Sequence, residues 1–104
     1  MLSIEGRSAG GLLIGASINQ APELFRVALL GRPFVDAFTT MTDSSIPLTS
    51  GEWIEWGNPN EEKYEQYMLS YSPVNNVQSG KKYPSCWLTA GLHDRKCYTL
   101  AFLY

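Results

Sequence analysis

Leu2-Ser3-Ile4-Glu5-Gly6-Arg7-Ser8-Ala9-Gly10-Gly11-Leu12-Leu13-Ile14 is the stretch that decides the fold. Leu2 to Glu5 alternates apolar with polar side chains, the period of a strand, and Gly6 marks the strand's entry into a turn. From Ala9 to Asn19, the residues Leu12, Leu13, Ala16 and Ile18 recur at helical spacing, and Pro22, which lacks an N–H, ends or restarts that helix. The order is strand, tight turn, helix, with Gly6-Arg7-Ser8-Ala9-Gly10 at the turn. Glycines flanking a serine let the chain bend sharply and hold the hydroxyl out at the end of a sheet, the form of a nucleophile elbow. In that form the Ala9 N–H faces the oxygen of a tetrahedral intermediate, and a second donor comes from elsewhere. The competing reading is an incidental glycine turn.

Working outward, Phe25 to Leu30 is a continuous apolar run apart from Arg26 and predicts a strand buried in a parallel sheet. Phe34 to Met41 suits a short helix, and Thr42-Asp43-Ser44-Ser45-Ile46-Pro47 has the composition of a loop. Asn60 to Leu69 reads as an amphipathic helix: Asn60 can cap it, Glu61 and Glu62 sit in its positive first turn, and Tyr64, Tyr67 and Met68 share a face. Cys86-Trp87-Leu88-Thr89-Ala90 predicts another buried strand, with Gly91-Leu92-His93-Asp94 at its C-terminal end. Strands separated by helices indicate an α/β sheet, whose reactive groups gather beyond the C-terminal ends of the strands. A sheet of about three strands with so little helix cannot have both faces covered, so exposed apolar surface is expected.

With 104 residues, 44% of them hydrophobic, the chain is one domain or part of one. Eight basic and ten acidic residues, a formal charge of −2, create no field that would gather nucleic acid or anionic lipid. The longest apolar stretches, Gly10 to Ala16 and Val27 to Gly31, fall well short of the roughly 20 residues that cross a bilayer. The N-terminus lacks the basic flank and apolar core of a signal peptide, and a cytoplasmic setting is expected. In that setting Cys86 and Cys97 are expected to remain buried or incidental thiols. One histidine and two cysteines without close spacing do not make a metal shell, and no metal or organic cofactor is expected.

A serine hydroxyl attacks only when a base takes its proton, and a carboxylate orients that base, here in the chain order serine, acid, histidine. Asp94 is the candidate acid, its alternative being a turn former or helix cap. His93, the sole histidine, does not complete a triad with Asp94, because neighbouring side chains diverge along an extended backbone. Its expected role is packing or hydrogen bonding beside the acid, with the base beyond Tyr104.

Seven segments carry a family resemblance: Glu5-Gly6-Arg7-Ser8-Ala9-Gly10-Gly11, Pro33-Phe34-Val35-Asp36, Thr39-Thr40-Met41, Ile46-Pro47-Leu48-Thr49, Glu55-Trp56-Gly57-Asn58-Pro59, Tyr67-Met68-Leu69-Ser70-Tyr71-Ser72-Pro73 and Gly91-Leu92-His93-Asp94. In this order they resemble the prolyl oligopeptidase family of serine peptidases, and within it the oligopeptidase B branch. The resemblance implies part of an α/β-hydrolase catalytic domain over residues 1–94, capped in the complete enzyme by a β-propeller, that cleaves short peptides through an acyl-enzyme. It implies Ser8 as nucleophile and Asp94 as triad acid, with the histidine further along. It also implies that acidic residues before the Trp-Gly-Asn-Pro motif hold a basic substrate side chain. Glu52 matches one of these, Ile54 stands at the second, and Glu55 matches a neighbouring position. A guanidinium beside one carboxylate gains less charge-assisted hydrogen bonding than beside two. The alternative for Glu52 is a solvated loop carboxylate.

Residues 95–104 depart from the family pattern, which suggests a reading-frame, splice or gene-model break just past Asp94. The expected function of the parent protein is that of a serine-type endopeptidase or oligopeptidase. An esterase of the same fold is one alternative, and a catalytically inactive fragment or pseudoenzyme is another. The chain by itself is expected to show negligible turnover.

Overall fold

The computed structural model of the chain describes residues 1–43, 45 and 49–91. Among the described residues three strands, β1 (Leu2–Arg7), β2 (Phe25–Gly31) and β3 (Ser85–Thr89), form one parallel sheet in the order β1-β2-β3. Among the described residues four α-helices accompany them: α1 (Ala9–Gln20) crosses from β1 to β2, and α2 (Ala37–Thr42), α3 (Thr49–Trp56) and α4 (Glu62–Tyr71) lie between β2 and β3 in sequence. The expected α/β architecture is therefore present, as a partial sheet with flanking helices.

α1 is buried on two sides, which explains why its sequence is apolar nearly all round rather than striped. Ile14 and Ile18 pack on Ala28 and Leu30 of the sheet, with Ile4 and Phe25 at the margin. Leu12 faces the other way, into a cluster with Phe34, Ala37, Met41 and the fully buried Met68. Trp53 joins this second cluster, and its indole N–H donates to the Met41 carbonyl at 3.0 Å, tying α3 to α2. The layers run sheet, α1, then the α2–α4 group.

Several expectations need correction. Leu13 is exposed and Ile14 takes the buried position, because α1 is gripped from two directions rather than one. Phe34 and Val35 are buried but precede the helix, which starts at Ala37. Asp36 caps α2, its side chain accepting from the Thr39 N–H at 3.3 Å. The N-cap position of α4 is Glu61, which makes no side-chain cap bond, rather than Asn60, whose N–H instead closes a turn onto the Asn58 side chain at 3.0 Å. On α4 only Met68 is buried, and Tyr67 stands exposed. α3 is an unforeseen helix, so Glu52 is helical rather than in a loop.

β3 was expected to be buried and is exposed along its whole length. It is an edge strand, and α1 packs on β1 and β2 but stops short of it. The opposite face of the sheet carries Glu5, Leu29 and Trp87 in one register row, and no described helix covers it; Trp87 is 69% exposed. Cys86 is likewise exposed, its thiol donating to the Pro84 carbonyl at 3.4 Å, while Cys97 lies outside the described residues. Among the described residues no helix is long and apolar enough to cross a membrane.

Candidate active site

Ser8 is the single residue between the end of β1 and the start of α1. Its backbone has φ 51° and ψ −119°, in the half of conformational space that favours glycine. For a residue with a Cβ such a conformation costs on the order of 1–3 kcal/mol and persists only where its surroundings impose it. Four backbone hydrogen bonds do so. The Ser8 N–H donates to the Gly31 carbonyl at 3.1 Å, and the Ser8 carbonyl accepts from Gly11 at 2.9 Å, Leu12 at 3.2 Å and Phe34 at 3.0 Å. The bend is thus locked to the helix it opens and to the chain leaving β2.

Close packing fixes it further. A Cβ on Gly6 would lie 2.3 Å from the Gly10 carbonyl oxygen, and one on Gly11 would lie 2.3 Å from the Pro33 Cβ. Strand, turn and helix approach more closely than any side chain permits.

Serine at a helix N-cap ordinarily turns its hydroxyl back onto the helix amides. Ser8 occupies the cap of α1 but makes no side-chain cap bond, and the residue is exposed. Among the described residues its hydroxyl makes no hydrogen bond to the helix it opens. Four amides at a helix start lack intrahelical acceptors. Ser8 and Gly11 use theirs as described, which leaves Ala9 and Gly10 without protein acceptors among the described residues. The Ala9 amide therefore heads α1 as a donor at the positive end of the helix dipole, as an oxyanion donor requires.

The C-terminal ends of the strands are level. Arg7 pairs with Gly31 and Gly31 with Thr89, and the Arg32 N–H donates to the Thr89 carbonyl at 2.7 Å. Ser8 and the chain following β3 consequently leave the sheet along the same rim. Asp94 and His93 lie outside the described residues. Glu52 is half-buried in the first turn of α3, where the helix dipole favours a carboxylate. Ile54 points into solvent, 96% exposed.

The sequence did not reveal a cleft of about 510 Å³ that starts beside the elbow. Ala9, Leu12, Leu13 and Ala16 of α1 form one side, Glu55 and Trp56 of α3 another, and Tyr67 and Tyr71 of α4 the third. Trp56 meets Phe34 edge-on at 6.0 Å between ring centroids, and Tyr67 meets Tyr71 likewise at 5.2 Å. Burial, and secondarily Tyr67, raises the Tyr71 hydroxyl above its ordinary value of 10.0, so it stays neutral. The missed signal was the spacing of Glu52, Glu55 and Trp56, one face of a helix that was not foreseen. Among the described residues no group of three His, Cys, Asp or Glu side chains is placed to hold a metal ion.

The model of the prolyl oligopeptidase family matches residues 1–102. Protease 2 of Moraxella lacunata is 52% identical over 93 residues, which make up 89% of this chain and 13% of that protein. Among solved structures, oligopeptidase B from Leishmania major superposes with a TM-score of 0.89 at 59% identity, over 98% of this chain and 14% of that one. Oligopeptidase B from Trypanosoma brucei, solved in a closed form with covalently bound antipain, gives 0.86 at 62% identity over 92% of this chain and 13% of that one. The chain thus spans about an eighth of the length of the curated relative it matches.

Proposed function

The chain belongs to the prolyl oligopeptidase family, and on that premise we propose that it is the nucleophile-bearing part of a serine peptidase that hydrolyses short peptides, in a cytoplasmic setting. The Ser8 Oγ attacks the scissile carbonyl carbon while its proton passes to a histidine base other than His93. The Ala9 N–H donates to the resulting oxyanion. Collapse of the intermediate expels the amine, which takes up the proton from the base, and leaves the acyl group on Ser8. Water, deprotonated by the same base, then releases the acid. Asp94 orients the base and offsets its positive charge. Glu52 faces the basic side chain that precedes the scissile bond. Residues 1–94 carry these roles, and residues 95–104 form a divergent tail.

The observation that carries the reading is the backbone of Ser8, strained and pinned by four hydrogen bonds while its hydroxyl remains unused as a cap. Strain held at one serine at the tip of a parallel sheet makes sense where that hydroxyl reacts. The level strand ends support Asp94 as its partner. β1 and β3 are separated by two strand spacings, about 10 Å. The five residues from Thr89 to Asp94 extend up to about 17 Å.

A chimera tests this. Residues 1–94 replace the matching segment of the Leishmania major oligopeptidase B, and turnover of an arginyl anilide is measured. The chimera is expected to cleave the anilide, and Asp94→Asn to lower its kcat about ten-thousandfold, the cost of a misoriented base in a comparable triad. Unchanged turnover in Asp94→Asn would remove Asp94 from the mechanism. The matched arginyl ester separates a peptidase from an esterase of the same fold, because the esterase cleaves the ester alone.

A further inference from the structure

We propose that the sheet face turned away from α1 is a self-complementary contact surface, through which two copies of this chain associate about a two-fold axis. The inference does not depend on the peptidase reading.

Strand register builds the face. Side chains alternate across a sheet. Gly6 and Leu30 face α1, so Glu5, Leu29 and Trp87 form one row of the other face, and Arg7, Gly31 and Thr89 form the next. The first row is acidic and bulky, the second basic and small. Together they line a hollow of about 280 Å³. The Arg7 stem lies across its floor: a Cβ on Gly31 would sit 2.7 Å from the Arg7 Cγ. A parallel sheet is ordinarily covered on both faces, yet no described helix covers this one, and Trp87 and Leu29 are 69% and 38% exposed. Among the described residues the side chains of Glu5 and Arg7 make no ion pair or hydrogen bond.

One arrangement satisfies both rows at once. A two-fold axis is set between two such faces, running across the strands at the level of Gly6 and Leu30. Each strand then lies antiparallel over the same strand of the second copy, and the first row of each copy meets the second row of the other. Glu5 faces Arg7 of the second copy, Leu29 descends on the Arg7 stem over Gly31, and the Trp87 ring covers Thr89. Sheets stack about 10 Å apart, a gap that a glutamate and an arginine side chain bridge. With the axis moved to the level of Glu5, Glu5 meets Glu5 and Trp87 meets Trp87. With the axis turned along the strands, Glu5 meets Trp87 and Arg7 meets Thr89. Only the first arrangement pairs both charges and sets large side chains against small ones, and like charges brought together disfavour the second.

The patch is small. Three strands about six residues long cover about 14 Å by 20 Å. That is less than half the roughly 800 Å² per partner of a standard interface, so the association is weak, with a Kd on the order of 100 μM. Salt screens its ion pairs and weakens it further.

The test is sedimentation of the 104-residue chain across the range in which such a weak dimer forms, about 10 μM to 1 mM, with NMR of the indole signals over the same series. Dimer is expected to accumulate with concentration, shifting the Trp87 indole and leaving that of Trp53, which packs beyond α1. Glu5→Arg alone and Arg7→Glu alone each set like charges against each other, and each is expected to associate at least tenfold more weakly. An equimolar mixture of these two variants is expected to recover association as a heterodimer, and the double variant Glu5→Arg/Arg7→Glu as a homodimer. The amide spectrum of each variant reports that it is folded. A chain that stays monomeric throughout, its face bare or taken by its own residues 92–104, would overturn the proposal. So would single variants that associate as the parent chain does, a mixture no better than its components, or shifts at Trp53 instead of Trp87. Ser8→Ala is expected to leave the association unchanged, which keeps this test separate from that of the peptidase reading.

Discussion

Ser8→Ala in the chimera lowers kcat for the arginyl anilide by about a millionfold, the scale on which removal of the serine acts in a related triad. The size follows from the covalent step: without the Oγ no acyl-enzyme forms, and what remains is the contribution of the oxyanion donors and of substrate binding. KM is expected to change little, since the hydroxyl makes no bond that a bound ground state would lose. Stability is expected to hold or rise slightly, because Ser8 uses no side-chain hydrogen bond in the fold and the strain lies in its backbone. A structural serine would show the reverse, with a lower melting temperature and retained turnover. Steady-state kinetics and thermal unfolding of the same preparation distinguish the two.

Gly6→Ala is the second large effect, and it differs from the substitution of the other glycine in the same motif. A methyl at position 6 would sit 2.3 Å from the Gly10 carbonyl oxygen and 2.6 Å from the Ile14 Cγ1. The first obstacle is backbone and cannot rotate aside, so β1 and α1 must move apart. Overpacking of this kind costs typically 1–3 kcal/mol, which corresponds to a fall in melting temperature of roughly 5 to 20 °C for a chain of this size. Because Ser8 lies between the two elements that move, kcat is expected to fall about a hundredfold through misplacement of the hydroxyl. At Gly10, by contrast, a methyl meets nothing within 4 Å. Gly10→Ala is therefore expected to leave the chain as stable as before or more so, as alanine favours a helix by up to about 1 kcal/mol over glycine. Circular dichroism melts of both variants report the asymmetry.

That asymmetry shows what the sequence could and could not disclose. The motif Gly6-Arg7-Ser8-Ala9-Gly10 was legible as a bend because its residue types and its flanking periodicities agree, strand before and helix after. The roles of its two glycines were not separable, since only the approach of the Gly10 carbonyl to Gly6 tells them apart. β1, α1, β2, α4 and β3 were each readable within a few residues. α3 was not: Gly51 breaks its propensity, and Trp53 and Ile54 suit a strand as well as a helix. Its position is set by tertiary contacts, with Trp53 bonded to the Met41 carbonyl and packed into the second core cluster.

Burial was the least legible property. Leu13, Tyr67 and Trp87 are large and apolar or aromatic, and composition alone would place them inside. Each is exposed for a different reason. Leu13 lies on the side of α1 that faces the cleft, Tyr67 walls that cleft, and Trp87 lies on the sheet face that no described helix covers. The same lack of tertiary information hid the cleft: its three walls come from helices more than 30 residues apart in sequence at the extremes, a juxtaposition that no local pattern encodes. Asp94, by contrast, is a candidate from chain order and from the family resemblance and lies outside the described residues; the level ends of β1, β2 and β3 show only that the chain leaves β1 and β3 along one rim of the sheet.

The most direct measurement is covalent. The active chimera is treated with an alkyl fluorophosphonate, whose phosphorus is attacked by a serine oxygen as fluoride leaves, and is then digested with trypsin and mapped by mass spectrometry. If Ser8 is the hydroxyl that the elbow raises for attack, the phosphonyl group is found on Ser8 in the peptide Ser8–Arg26, in step with the loss of turnover. Inactivation with the label on another residue, or turnover that survives full labelling of Ser8, would contradict it.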